Sequence, residues 1–288
     1  MTILVTGANG TTGSAVVRAL VERGAPVRAL VRHPDKLAAT PGVEVAIGDF
    51  DDADSLAAAL VGVDHAYLVG ASSPDQVSQE AAFIDAAVAA GVEHIVALSV
   101  IGADSPGIEA LRFGAAHQQV EAALTGAAIE HTLLRPNGFF QNLLGQAAAI
   151  SGANAIFSPL SPAAGVSYVD VEDIAAVAAL ALTEPGHTGK AYTLTGPEAL
   201  TDDEIAVRFT QVLGRPIAHT QVPLEATKEA LAGSGYPQWN VDGLAELFAF
   251  YETGGAAGVA PDIEQVLSRP ARTIEDFIRA NRSAFDPS

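Results

Sequence analysis

The sequence predicts an α/β fold, in which a doubly wound parallel sheet is followed by a smaller, mostly helical C-terminal lobe. Short aliphatic runs alternate with alanine-rich segments of helical length, a pattern typical of repeated βαβ units. The aliphatic runs are continuously apolar, as expected for strands that helices cover on both faces. Several helical segments are followed by glycine, which favours the left-handed conformation that ends a helix.

Six strands are predicted before the alternation ends, near residues 3–5, 27–31, 43–47, 66–69, 95–98 and 132–134. Apolar residues at three- and four-residue spacing predict helices at about residues 13–22, 54–60, 76–90 and 113–124. The pattern changes after Pro136, although residues 171–182 are again predicted to be helical and residues 191–194 extended. We therefore expect a sheet domain of residues 1–155, to which residues 165–195 return, and a smaller lobe of residues 196–288.

The composition excludes several classes of function. The formal net charge of −19, from 15 Lys and Arg against 34 Asp and Glu, would repel nucleic acid. The chain has no cysteine, and its seven histidines never fall at the spacing of a helical metal site, so no metal is expected. The sequence shows neither a secretory signal nor an apolar run of about eighteen residues, so we expect a cytoplasmic protein without a membrane anchor.

The junction of the first strand and first helix contains T-G-A-N-G-T-T-G, starting at Thr6. Glycines in this context allow a tight turn, the approach of a diphosphate to the backbone and close helix packing, and the helix N-terminus favours the anion. The pattern predicts a Rossmann-type dinucleotide site. Its predicted contacts are Gly7, Asn9, Gly10, Thr11, Thr12 and Gly13.

The end of the second predicted strand indicates which dinucleotide is bound. An NAD site would place an acidic residue there for the ribose, whereas this sequence has Arg32 and, slightly later, Lys36. Arginine forms a forked contact with a 2′-phosphate, so NADPH is favoured and NADH remains an alternative. Both residues are also compatible with ordinary solvated surface charges.

Five segments together resemble the NmrA-like branch of the atypical short-chain dehydrogenase/reductases, and within it the NADPH-dependent type 2 quinone oxidoreductases. They are T-G-A-N-G-T-T-G at Thr6, V-R-A-L-V-R at Val27, G-D-F at Gly48, H-Q-Q-V-E at His117 and L-L-R-P-N-G-F-F at Leu133. The resemblance implies that Asp49 and Phe50 flank the adenine and that Pro136 lies near the nicotinamide. It further implies that the cofactor is lined by Val69, Gly70, Ala71 and Ser99.

Proton donation is where the sequence departs from most short-chain dehydrogenases, which pair a tyrosine with a lysine four residues later. No tyrosine of this chain has such a lysine. His117 stands where many relatives carry a lysine, and Glu121 follows one helical turn later. We therefore regard His117 as the candidate for positioning the nicotinamide or for acid catalysis, beside the alternative of a structural histidine.

Reduction of a quinone or conjugated enone fits these residues best, because the resulting anion needs little acid assistance. Two alternatives remain open: a redox sensor that binds the dinucleotide without turnover, and a tailoring reductase or isomerase of an aromatic metabolite. The candidate substrate contacts are Asn137, Phe139, Phe140 and Trp239, although aromatics at such positions are more often core. A small aromatic or quinone-like molecule is the expected partner, and a homodimer is compatible with the fold.

Overall fold

The computed structural model describes residues 1–36 and 40–286, and of Lys36 the backbone alone. The chain divides into two compact units. The first comprises Met1–Pro136 and Val171–Thr193, and the second Asn137–Asp170 and Leu194–Ser288. Across the described residues, no helix is long and apolar enough to cross a membrane.

Nine strands are found in the described part of the chain: β1 Ile3–Val5, β2 Val27–Val31, β3 Val43–Ile47, β4 His65–Leu68, β5 His94–Leu98, β6 Glu130–Pro136, β7 Ala155–Ser158, β8 Ala191–Leu194 and β9 Ala218–Gln221. The same residues form twelve α-helices: α1 Thr11–Glu22, α2 Ala53–Ala59, α3 Gln76–Ala90, α4 Arg112–Gly126, α5 Ala147–Ala153, α6 Val171–Thr183, α7 Asp202–Leu213, α8 Leu224–Gly233, α9 Gln238–Glu252, α10 Asp262–Leu267, α11 Ile274–Ala280 and α12 Arg282–Phe285.

The first unit is built on a seven-stranded sheet of order β3-β2-β1-β4-β5-β6-β8, and the pairings from β3 to β6 are parallel. The strand order reverses at β1, which lies between β2 and β4. Ligands of open α/β sheets bind at such a reversal, outside the carboxyl ends of the strands. The crevice beyond the ends of β1 and β4 is therefore where this fold favours a dinucleotide.

Helices cover both faces of this sheet. Leu4, Ala66 and Ile95 join one apolar cluster with side chains of α2, α3 and α4, while α1 packs against α6. Successive side chains of a strand point to opposite faces of the sheet. Ile3 and Val5, the neighbours of Leu4, therefore point to the opposite face from Leu4, and both are fully buried. This double cover explains why the central strands β1, β4 and β5 are buried, and it confirms the predicted doubly wound fold.

The second unit is mostly helical, with a small parallel sheet of β7 and β9. Its main core joins Phe140 to side chains of α7, α11 and α12, and the ring of Phe140 stacks on that of Phe277 at 5.8 Å. A smaller cluster brings Leu160, Val166 and Tyr251 together. These contacts place residues 137–155 in the second unit, whereas the sequence pattern assigned them to the sheet domain.

Candidate functional site

The turn between β1 and α1 can be formed only by glycine at two positions. Gly7 has a φ of +56°, in the left-handed region. A Cβ on Gly13 would lie 2.1 Å from the carbonyl oxygen of Gly7, so no side chain fits there. The N–H of Gly10 donates to the same carbonyl at 2.8 Å and closes the turn. The chain thus reverses tightly into the helix.

The N-terminus of α1 has free donors for an anion. Its N-cap residue is Gly10, no side chain caps the helix, and no acidic residue stands in the first turn. The first amides of an α-helix have no partner within the helix, and the helix dipole adds positive potential. Asn9, Gly10 and Thr11 are exposed, while Thr12 and Gly13 are buried. These residues fit a diphosphate.

A threonine that the sequence analysis did not single out connects the two central strands. The hydroxyl of Thr6 accepts from the N–H of Val69 at 2.8 Å and lies 3.0 Å from the carbonyl oxygen of Val69, to which it can donate. A Cβ on Gly7 would lie 2.8 Å from a methyl carbon of Val69. The end of β4 is therefore fixed against the glycine turn, which brings Val69 and its neighbours Gly70 and Ala71 beside the predicted diphosphate site.

The ends of β2 and β3 place the residues predicted for the adenosine half. Arg32 follows β2 and is exposed, while the side chain of Lys36 lies outside the described residues. Asp49 and Phe50 follow β3 and are partly buried; the N–H of Asp49 donates to the hydroxyl of Ser55, and the ring of Phe50 lies 5.4 Å from that of Phe83. Arg32, Asp49 and Phe50 thus follow the carboxyl ends of neighbouring parallel strands, the edge of the sheet at which such folds bind ligands.

Ser99, at the end of β5, is part of a buried ionic network. Its hydroxyl donates to Oε1 of Glu121 at 2.5 Å. Arg135 on β6 donates from Nε to Oε1 and from Nη2 to Oε2 of the same carboxylate, at 2.9 and 2.6 Å. The carboxylate predicted to assist His117 is therefore held by Ser99 and Arg135.

His117 itself is partly buried in α4. Its Nδ1 is buried and, within the described residues, has no hydrogen-bond partner. Burial lowers the pKa of the imidazole to about 4, and the charge of Glu121 only partly opposes this shift. His117 is therefore neutral near pH 7, with an unused ring nitrogen.

Pro136 ends β6 and is buried, and its carbonyl oxygen accepts from the N–H of Ile101 at 2.9 Å. This bond joins the chain beyond β5 to the end of β6. Pro136 is thus placed at the same edge of the sheet as Ser99.

The residues predicted for substrate contact lie in the second unit and differ in exposure. The amide nitrogen of Asn137 donates to the hydroxyl of Ser167 and the carbonyl of Ala256, each at 2.9 Å, and its oxygen accepts from the N–H of Gly138. Phe140 is 2% exposed and belongs to the core. Phe139 and Trp239 are partly exposed. Asn137 and Phe140 therefore stabilise the second unit. Of these four residues, only Phe139 and Trp239 offer surface for a ligand.

Comparison with known proteins places the chain in a family. The family model described as the NmrA-like family matches residues 1–278. The chain belongs to the NmrA-like family. The resemblance found in the sequence motifs is thereby confirmed.

Three proteins similar to this chain are named as reductases or oxidoreductases. An NAD(P)H azoreductase of Xenophilus azovorans is 42% identical over 98% of this chain and 99% of its own length. The structure of the NADPH-dependent quinone oxidoreductase QOR2 of Escherichia coli in complex with NADPH is 28% identical, with a TM-score of 0.85 over 97% of this chain and 99% of that one. A triphenylmethane reductase of Citrobacter complexed with NADP(H) is also 28% identical, with a TM-score of 0.83 over 96% and 99% of the two chains.

Proposed function

We propose that this chain, an NAD(P)H-dependent oxidoreductase of the NmrA-like family, reduces quinones or conjugated enones with hydride supplied by NADPH. The predicted enzyme class and cofactor are confirmed by the relatives described above. Those relatives are named for the reduction of azo compounds, quinones and triphenylmethane dyes, all of which contain conjugated π-systems. Their shared chemistry supports an aromatic or conjugated acceptor for this chain.

The first turn of α1 is the observation with the most weight. Its amides are uncapped, the glycine turn beside it excludes side chains, and β1 and β4 meet at the strand-order reversal. A turn that only connected a strand to a helix would not need these three features together. The exposed Arg32 at the end of β2 supports NADPH as the preferred form, because a guanidinium binds a phosphate through two parallel hydrogen bonds.

The available proton donors favour an acceptor that needs little acid assistance. Burial raises the pKa of Tyr67, Tyr168 and Tyr251 above that of a free phenol, and none has a lysine four residues later. His117 is neutral near pH 7. Reduction of a quinone gives a phenolate-like anion whose conjugate acid has a pKa of about 10, and water protonates such an anion readily. The alkoxide formed from a simple ketone needs a strong proton donor.

The test is a turnover assay with matched acceptors. Purified protein and NADPH would be mixed separately with menadione, a conjugated enone, an azo dye and a simple ketone, and the loss of NADPH absorbance would be followed. We expect steady oxidation with the quinone and the enone and none with the ketone. NADPH binding without any turnover would instead identify a sensor, and turnover with the azo dye alone would move the substrate class to azo compounds.

The role of His117 is tested in the same assay. We propose that its neutral imidazole positions the nicotinamide or the acceptor, and expect His117→Asn to lower kcat about tenfold or more. Gln119→Ala, at an exposed position of the same helix, is the matched control. Equal rates for both variants would leave His117 with a structural role only.

A further inference from the structure

A carboxyl group and an amide form a buried pair inside α3. Glu80 is 0% exposed and Gln76 2% exposed. They stand four residues apart on one face of the helix, and Nε2 of Gln76 donates to Oε1 of Glu80 at 3.0 Å. Glutamate is almost never fully buried unless it is paired with a cation, and this hydrogen bond to Glu80 comes from a neutral amide.

Glu80 of this pair lies against the segment that follows β4. A Cβ on Gly70 would lie 2.7 Å from Oε1 of Glu80 and 3.0 Å from its Cγ, so the carboxyl rests against the backbone of Gly70. Gly70 follows Val69, which Thr6 fixes to the glycine turn. Glu80 therefore supports, from inside the protein, residues 69–71, which we expect to line the dinucleotide.

The hydrogen bonding of the pair is incomplete if Glu80 is ionised. Oε2 of Glu80 and Oε1 of Gln76 are both buried acceptors without a partner in the described structure. A buried acceptor without a donor is destabilising by roughly 1–3 kcal/mol. One proton on Oε2 would provide a donor to the glutamine oxygen, because a carboxylic acid and a primary amide can pair through two hydrogen bonds.

Among the described residues, the surroundings of the pair provide no cation to stabilise a carboxylate. The phenol of Tyr67 on β4 is close enough to Glu80 to feel its charge, and its hydroxyl is also buried. The influences on the Glu80 carboxyl are burial, Gln76 and the backbone of Gly70, with no cation among them. Burial raises the pKa of the Glu80 carboxyl to about 7, although hydrogen bonds from Gln76 and the backbone of Gly70 oppose the rise. The charge state of this group thus changes within the physiological range.

We propose that Glu80 is a positioning residue whose protonated form, paired with Gln76, holds residues 69–71 in the arrangement that binds the dinucleotide. Loss of the proton places a buried negative charge behind a segment that faces the cofactor phosphates, so the affinity for NADPH falls. The inference rests on the proposed function, because it requires that these residues line NADPH. It adds a regulatory group that does not touch the cofactor.

Glu80→Gln provides a sharp test, because glutamine has the shape of the protonated acid and no titratable proton. The dissociation constant of NADPH would be measured by fluorescence titration from about pH 6 to about pH 9. We expect the affinity of the unmodified chain to fall about fivefold or more above pH 7, and that of Glu80→Gln to stay within about twofold of its value at low pH. Glu93→Gln, on an exposed loop, should behave like the unmodified chain.

The protein without cofactor gives a second readout. The melting temperature of the unmodified chain should fall relative to that of Glu80→Gln as the pH rises from about 4.5 to about 7 and level off above it, because in this window the unfolded chain has lost a proton that the folded chain keeps. Identical pH dependence of NADPH affinity in the unmodified chain and in Glu80→Gln would overturn the inference while leaving the proposed function intact. Absence of NADPH binding at every pH would overturn both.

Discussion

Arg135 donates to both carboxylate oxygens of Glu121, and the two side chains are only 13% and 10% exposed. This bidentate pair joins α4 to β6, and the hydroxyl of Ser99 connects it to β5. Three elements at the carboxyl edge of the sheet are thus fixed by one carboxylate. The hydrogen bonds of the Glu121 carboxylate thus go to Ser99 and Arg135, and it acts on His117 through its charge.

Breaking this pair should destabilise the fold. Glu121→Ala leaves Arg135 largely buried without its main partner, so we expect the free energy of unfolding to fall by about 3 kcal/mol. Arg18→Ala breaks a pair whose side chains are 52% and 47% exposed, and its loss should stay below about 1 kcal/mol. Urea unfolding of the two variants compares them. Equal losses would mean that the buried pair contributes no more than a surface one.

The glycine turn predicts a steric loss of cofactor binding. In Gly13→Ala the new methyl group would overlap the carbonyl of Gly7, so the turn must open, and NADPH affinity should fall about tenfold or more. A methyl group on Gly126 meets no atom within 4 Å, so Gly126→Ala should bind NADPH normally. Isothermal titration of both variants measures the difference. Normal binding by Gly13→Ala would contradict the assignment of this turn to the diphosphate.

Cofactor preference should depend on Arg32. Arg32→Ala removes a charged donor to the 2′-phosphate, a type of contact worth roughly 1.5–3 kcal/mol, so the KM for NADPH should rise about tenfold or more. The KM for NADH, which lacks that phosphate, should hardly change. Arg18→Ala serves as the control for loss of one exposed positive charge. If both cofactors respond equally to Arg32→Ala, the arginine does not recognise the phosphate.

Two histidines with lowered pKa values predict acid sensitivity. Burial lowers the pKa of His94 to about 4, with smaller contributions from His65, His131 and His187, and burial also lowers that of His117 to about 4. Between the unfolded value of 6.5 and about 4 the unfolded chain binds protons that the folded chain does not, so stability falls as the pH falls through this window.

The slope should be at most about 1.4 kcal/mol per pH unit for each histidine, and little further change from these two groups is expected below pH 4. Urea unfolding at several pH values gives the slope. His94→Gln should reduce the slope relative to the unmodified chain. An unchanged slope would show that His94 is solvated or already charged in the folded state.

The sequence predicted the elements whose signals are local. β1, β2 and β3 occur at the predicted residues, because short, mostly aliphatic runs next to glycine or proline are typical of strands. β7 and β9 were missed. Their pairing joins residues more than sixty positions apart, and β9 reads A-H-T-Q, with too little apolar character for a strand signal.

Within the site, the glycine turn could be predicted from the spacing of its glycines. The partners of the charged groups could not be predicted in this way. Helical spacing placed Glu121 near His117, yet its carboxylate turns to Arg135, which approaches from β6. Gln76 and Glu80 have the spacing of an ordinary exposed helix pair, and only burial distinguishes them. Such partners depend on which strands become neighbours, and this information is not local.

The hydroxyl of Thr6 has an energetic consequence for ligand capture. Because it joins the end of β1 to the end of β4 by hydrogen bonds within the protein, the fold itself holds these two segments of the crevice together. The conformational entropy of ordering these loops is lost during folding, so association should begin from a rigid receptor and need little rearrangement of the backbone.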